Sequence, residues 1–160
     1  GFIPHDPADP QWGTVLRRLE ELGNRFERSG VRVGLETGQE NAGTLAVALA
    51  ELGHGNVGVN FDPANMILYG MGDPVESIRK LGPHVVQVHA KDALPTKTAG
   101  EWGAEVPLGE GAVDWDAFLA EVHALPGSPD VLIEREAGEA READIARARD
   151  RLLGRVVPNA

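Results

Sequence analysis

The stretch that decides the fold lies between residues 57 and 89: Val57-Gly-Val-Asn-Phe61, then Asp73-Pro74, then Val85-Val-Gln-Val-His89. The first and last runs are short and rich in β-branched residues, which predicts two strands. Asp73 as N-cap and Pro74 in the first turn predict a helix that begins between them and runs toward Leu81. A strand, a helix and a second strand in this order predict a βαβ unit with parallel strands.

The same alternation continues on both sides of this unit. Val31-Arg-Val-Gly-Leu-Glu36 and Val131-Leu-Ile-Glu134 predict two further strands. Apolar residues at helical spacing predict four more helices: Trp12 to Phe26, Leu45 to Leu52, Asp114 to Val122, and about Glu139 to Leu153. We therefore predict an α/β fold of parallel (β/α) units, forming a single domain over residues 1–160.

The order of the elements indicates a half-barrel. The chain opens with a helix rather than with a strand that carries a Gly-rich turn, and no G-x-G-x-x-G follows any strand. This order is typical of the second, C-terminal half of an eight-unit TIM barrel. Such a half alone would expose two strand edges. We expect these edges to be covered by a missing N-terminal half-barrel or by self-association into a homo-oligomer such as a homodimer.

Composition narrows the possible functions. The 160 residues contain 25 Asp and Glu against 15 Lys and Arg, a net charge of −10, which disfavours nucleic acid as a partner. No apolar run approaches the roughly 20 residues that a membrane span requires, so no membrane partner is expected. There is no cysteine, which removes disulfides, thiolate metal sites and cysteine nucleophiles and favours a cytoplasmic protein.

Four metal-competent side chains stand at the ends of the four predicted strands: Glu36, Asp62, His89 and Glu134. Singly, each has an ordinary structural explanation, such as a loop glutamate, an Asp-Pro turn or a half-buried histidine. In a (β/α) barrel, however, the C-terminal strand ends converge on one site. Three carboxylates and one imidazole suit one divalent metal ion, Mn²⁺, Mg²⁺ or Co²⁺, with Zn²⁺ also compatible.

Several motifs make the similarity to one family specific. They are Gly34-Leu-Glu-Thr-Gly-Gln-Glu40, Val59-Asn-Phe-Asp-Pro-Ala-Asn-Met66, Val88-His-Ala-Lys-Asp92, Pro107-Leu-Gly-Glu-Gly111 and Ile133-Glu-Arg-Glu136. In order and spacing the chain resembles the xylose isomerase-like sugar phosphate isomerase/epimerase family, over the C-terminal half of that family's barrel. The resemblance implies that Glu36, Asp62, His89 and Glu134 are metal ligands. It also implies that Glu36 and Glu134 are the catalytic acid/base pair.

Substrate contacts are expected around this pair. The resemblance makes Lys91 and Asp92 a polar pair beyond the histidine strand, which we interpret as residues that support the metal ligands or are substrate-binding. Asn65 replaces a histidine that epimerase and DNA-repair members carry, and its amide suits a substrate hydroxyl better than a metal. We expect the 107–111 loop to fold over the site, with Trp102 as an apolar wall. Pro95 replaces an arginine of the epimerases, so the ketose 3-epimerase reaction itself is not assigned.

Two functions stay open. The first is a metal-dependent sugar (phosphate) isomerase/epimerase-like enzyme that transfers a proton through an enediolate on a small carbohydrate. The second is a truncated or half-length barrel that binds metal and self-associates without native catalysis. Metal analysis followed by a ketose panel distinguishes them.

Overall fold

The computed structural model of the protein describes residues 3–156. Its helices are α1 (Trp12–Glu27), α2 (Ala42–Leu52), α3 (Pro63–Leu68), α4 (Pro74–Leu81), α5 (Trp115–Ala124) and α6 (Arg141–Val156). Its strands are β1 (Val33–Glu36), β2 (Val57–Phe61), β3 (Val85–Ala90), β4 (Asp92–Leu94), β5 (Ala104–Val106) and β6 (Asp130–Ile133). The predicted α/β class is confirmed, since helices alternate with the strands of a parallel sheet.

The four predicted strands form one parallel sheet in the order β1-β2-β3-β6. One face of this sheet is covered by helices. Val59, Phe61 and Val88 point to that face and are fully buried, and the ring of Phe61 lies 5.7 Å from that of Phe118 in α5. Because side chains alternate along a strand, Asn60 points to the opposite face, which would be the interior of a barrel.

A bulge in β3 decides the direction of His89. Val85 pairs with Val59, but Gln87 rather than Val86 pairs with Asn60, so the strand contains one extra residue. In a regular ladder His89 would share the helix-covered face with Val85. The extra residue reverses the alternation and turns His89 to the interior face.

Two glycines make room for this bulge. A Cβ on Gly58 would lie 2.4 Å from Cγ1 of Val86, and a Cβ on Gly34 would lie 3.3 Å from Cγ2 of the same side chain. Gly58 lies on the adjacent strand β2, and Gly34 lies beside Gly58 on β1. Any side chain at position 58 would therefore displace Val86.

Two features were not predicted. Asp62-Pro63, which on its own is typical of a turn, opens α3, with the Asp62 side chain as N-cap and the proline in the first turn. β4 and β5 form an antiparallel hairpin of three residues on each side. Each element is too short to show a hydrophobic period, so the sequence carries little sign of it.

β1 and β6 are the outer strands of the sheet, and within residues 3–156 neither has a second strand beside it. On the interior face of β6, Leu132 is 41% exposed. Among the helices in this part of the chain, none is long and apolar enough to cross a membrane.

Candidate metal centre

The side chains of Glu36, Asp62, His89 and Glu134 meet at one end of the sheet. One potential ligand atom from each lies within 4.8 Å of the others. Strand register explains this convergence, because Glu36 pairs with Asn60 and the bulge brings His89 to the same face. Glu134 follows the last residue of β6, and its backbone N–H donates to the carbonyl of Ala90.

Two atoms of this group are buried and unsatisfied. Asp62 Oδ2 and His89 Nδ1 have no hydrogen-bond partner in the described part of the chain. His89 Nδ1 lies 3.2 Å from Glu134 Oε2, 3.7 Å from Glu36 Oε1 and 3.8 Å from Asp62 Oδ2. Buried polar atoms are normally paired. A cation held between the three carboxylates and the imidazole would satisfy both atoms, so this donor set fits a divalent ion.

Asp62 is held rigidly. Its backbone N–H donates to Thr37 Oγ1 at 2.8 Å, and that hydroxyl donates to the Asp62 carbonyl at 3.0 Å. Asp62 Oδ1 accepts from the backbone of Ala64 at 2.8 Å and of Asn65 at 3.2 Å, which caps α3. The backbone contacts and the cap leave Oδ2 directed at the site. Thr37 was not among the predicted site residues.

Glu36 is oriented by Asn65. The Asn65 amide donates to Glu36 Oε1 at 3.0 Å and to the Thr37 carbonyl at 2.9 Å. The pKa of Glu36 is lowered, chiefly by its attraction to His89, although partial burial opposes this effect. Asn65 was predicted to contact substrate, and the structure places it beside that glutamate, at the edge of a cavity.

Lys91 lies against the candidate ligands and is only 3% exposed. Its ammonium contacts Glu136, lies 3.1 Å from Glu134 Oε2 and lies 3.6 Å from Asp62 Oδ2. Burial acts to lower the pKa of Lys91, but these carboxylates outweigh burial and the pKa rises above its usual value. The side chain therefore carries a positive charge beside the candidate metal ligands.

Residues 1–154 match the family described as xylose isomerase-like TIM barrel. The chain belongs to this family. The expected resemblance is thereby confirmed. A xylose isomerase domain protein from Planctomyces limnophilus is 37% identical and superimposes with a TM-score of 0.87, over 96% of this chain and 55% of its own.

Two more distant members of the fold were solved with ligands. A xylose isomerase-like TIM barrel protein from Mycobacterium smegmatis, in complex with magnesium, is 21% identical with a TM-score of 0.77, over 96% of this chain and 52% of its own. A D-allulose 3-epimerase from Methylomonas sp., in complex with D-allulose, is 16% identical with a TM-score of 0.72, over 94% of this chain and 57% of its own. At these identities they show the fold alone. The chain thus spans about half the length of these xylose isomerase-like structures.

Asp92 lies next to Lys91 in sequence but not in the cavity lining. Its carboxylate is 1% exposed and accepts five hydrogen bonds. The donors are the indole N–H of Trp115 and the backbone N–H groups of residues 93, 109, 111 and 113. Through its bonds to Gly109 and Gly111, Asp92 holds the 107–111 loop in place. The structure gives no support to the predicted contact between Asp92 and substrate.

A cavity of about 420 Å³ opens beside the candidate ligands and is lined in part by Glu36, Asn65, Lys91 and Tyr69. Trp102, 65% exposed, meets the ring of Tyr69 edge-on at 5.1 Å between centroids. Trp102 therefore packs against Tyr69, which lines the cavity. Its role as an apolar wall of the site stays a prediction.

The three carboxylates make the His89 imidazole strongly basic in the cation-free protein. Asp62 and then Glu36 raise the pKa of His89 from 6.5 to about 10, against the opposing effect of burial. Because this pKa is higher in the folded state, the imidazolium stabilises the fold fully below about pH 6.5, and this stabilisation is lost as pH rises toward 10.

We therefore expect the free energy of unfolding, measured with a chelator present, to fall between pH 6.5 and 10 by more in the wild type than in His89→Gln. Urea denaturation at a series of pH values measures this difference. His84→Gln, which alters a histidine outside the candidate metal centre, should behave as the wild type does. Equal pH dependence in wild type and His89→Gln would contradict the expectation.

Proposed function

We propose that this chain binds one divalent cation through Glu36, Asp62, His89 and Glu134 and belongs to an isomerase or epimerase acting on a small carbohydrate. The observation that carries the proposal is that Asp62 Oδ2 and His89 Nδ1 are buried without a hydrogen bond among converging carboxylates. The magnesium and D-allulose bound to its more distant relatives support a cation and a sugar here. Mn²⁺, Mg²⁺ and Co²⁺ suit this donor set, and Zn²⁺ is compatible with it.

In this proposal Glu36 and Glu134 move the proton. One carboxylate removes a proton from the carbon next to the substrate carbonyl, and the electron pair passes to the carbonyl oxygen to give an enediolate. The other carboxyl group returns a proton from the far side. A bound divalent ion supplies the positive charge that stabilises the enediolate. The hydrogen bond from Asn65 fixes the direction of the Glu36 carboxylate. The lowered pKa of Glu36 keeps this carboxylate ionised, so that it can act as a base.

Cation binding provides the first test. We expect isothermal titration calorimetry to show one site for a divalent cation in the wild-type chain, and binding at least about 10-fold weaker in Asp62→Asn. The asparagine oxygen can still cap α3, so the variant removes the negative charge and spares the helix.

Asp73→Asn is the matched control, because Asp73 caps α4 in the same way outside the metal centre. Its affinity for the cation should equal that of the wild type. A wild-type chain that binds none of the four cations, or an Asp62→Asn variant that binds as tightly, would contradict the proposal.

The exposed outer strands of the sheet favour a second candidate function, that of a half-barrel unit. β1 and β6 are the outer strands, and Val131 and Leu132 of β6 are 38% and 41% exposed. We propose that residues 1–160 form one half-barrel unit, whose edges are covered by a second copy or by an N-terminal half-barrel.

For the isolated chain we expect self-association, which light scattering at micromolar concentration would report as a mass above that of one chain. Leu132→Asp should shift this equilibrium toward the monomer, because it replaces an exposed apolar side chain of the interior face with a charge. A stable wild-type monomer would contradict closure by self-association. A ketose panel then separates the two functions, since bound cation with turnover supports the enzyme and bound cation without turnover supports the half-barrel.

A further inference from the structure

Asn60 makes a hydrogen bond to the ring of His89. Its side-chain nitrogen lies 3.0 Å from His89 Nε2, on the interior face of the sheet. The contact exists because the β3 bulge turns His89 to the face on which Asn60 lies. His89 Nδ1, on the other side of the ring, faces Glu36, Asp62 and Glu134.

In a neutral His89 ring, such as a cation ligand must have, the direction of the Asn60 amide decides which nitrogen carries the proton. If the amide nitrogen faces Nε2, it donates, so the proton of a neutral ring lies on Nδ1 and that nitrogen cannot bind a cation. If the amide oxygen faces Nε2, it accepts the Nε2 proton, and the lone pair of Nδ1 points toward the carboxylates. The two directions have nearly the same shape, because the amide oxygen and nitrogen are similar in size.

We propose that Asn60 is a positioning residue whose Oδ1 accepts a hydrogen bond from the Nε2–H group of His89. This bond keeps the proton on Nε2 and leaves the lone pair of Nδ1 free for the cation. The inference rests on the proposed cation site. It is motivated by two atoms that are buried without a hydrogen bond in the described structure, Asn60 Oδ1 and His89 Nδ1. Rotation of the amide gives that oxygen a donor, and the cation gives Nδ1 a partner. Histidine ligands are commonly fixed by such an acceptor on the second nitrogen.

Two substitutions of opposite chemistry test this role. Asn60→Asp can only accept at this position, so we expect its cation affinity, measured by calorimetry, to be at least that of the wild type. Asn60→Leu keeps the branched shape of the side chain and has no acceptor, and we expect about 10-fold to 100-fold weaker binding. Gln87→Leu is the matched control, because Gln87 pairs with Asn60 on the neighbouring strand, and its affinity should not change.

Each alternative gives a different result. If Asn60 acted by donating its amide proton, Asn60→Asp would bind as weakly as Asn60→Leu, and the inference would be overturned. If Asn60 only filled space, Asn60→Leu would bind the cation as tightly as the wild type does. This result would also overturn the inference. A wild-type chain without cation binding would overturn the proposed function, and this inference with it.

A spectroscopic readout needs no variant. In the zinc-loaded wild type, nitrogen-15 NMR of the His89 ring should show a protonated Nε2 and an unprotonated Nδ1. A proton on Nδ1 in the loaded protein would overturn the inference, even if Asn60→Leu failed to fold. This readout separates positioning of the ring from a general effect on stability.

Discussion

Glu36→Gln and Glu134→Gln are each expected to lower ketose turnover by about 100-fold or more while the protein stays folded. Glutamine keeps the shape of the side chain, and at position 36 its oxygen can still accept the hydrogen bond from Asn65. It cannot take up a proton from carbon. Loss of either carboxylate therefore leaves proton transfer without its base or its acid.

The measurement is the incorporation of solvent deuterium into the substrate, in the assembly that turns over the ketose. Saturating divalent cation separates loss of the base from loss of a ligand. Glu121→Gln serves as the control, because this carboxylate pairs with Arg79 on the helical surface. A loss of only a few-fold in either test variant would contradict the two-carboxylate scheme.

Asp92→Ala is expected to lower the free energy of unfolding by about 3–5 kcal/mol. The substitution leaves five donors without their acceptor, among them the buried indole N–H of Trp115 at 2.8 Å from Asp92 Oδ2. The loop backbone also packs against this carboxylate at Gly111. A Cβ at position 111 would lie 2.0 Å from Asp92 Oδ1.

Urea denaturation measures this loss, and Asp114→Ala is the matched control. Asp114 caps α5 at the surface through one hydrogen bond of 3.1 Å to Ala117, so its removal should cost about 1 kcal/mol. If Asp92→Ala cost no more than the control, the proposed role of Asp92 in fastening the loop would be wrong.

The sheet could be predicted because its four strands are β-branched runs bounded by Gly, Asp and Pro. The grouping of Glu36, Asp62, His89 and Glu134 could be proposed because strand ends converge in parallel (β/α) units. The sequence could not show the bulge in β3, because Val86 and Gln87 are compatible with either face of a strand. The space that accepts Val86 lies opposite, at Gly34 and Gly58.

The contacts around the candidate metal ligands could not be predicted from the sequence either. Asp92 looked like a substrate contact because it is polar and follows the histidine strand. Its partners are backbone N–H groups of a loop 17 to 21 residues further along the chain, and backbone donors leave no mark in a sequence. Asn60 and Thr37 are ordinary polar residues whose partners, His89 and Asp62, are brought to them only by strand pairing.

The outermost strands of the sheet carry the first and the last candidate ligand. Glu36 ends β1 and Glu134 directly follows β6, while Asp62 directly follows β2 and His89 lies in β3. In our proposal a single ion would thus act as a clasp across the full width of the sheet. Local unfolding of β1 or β6 would release the ion, and a bound ion would in turn stabilise both outer strands against such unfolding.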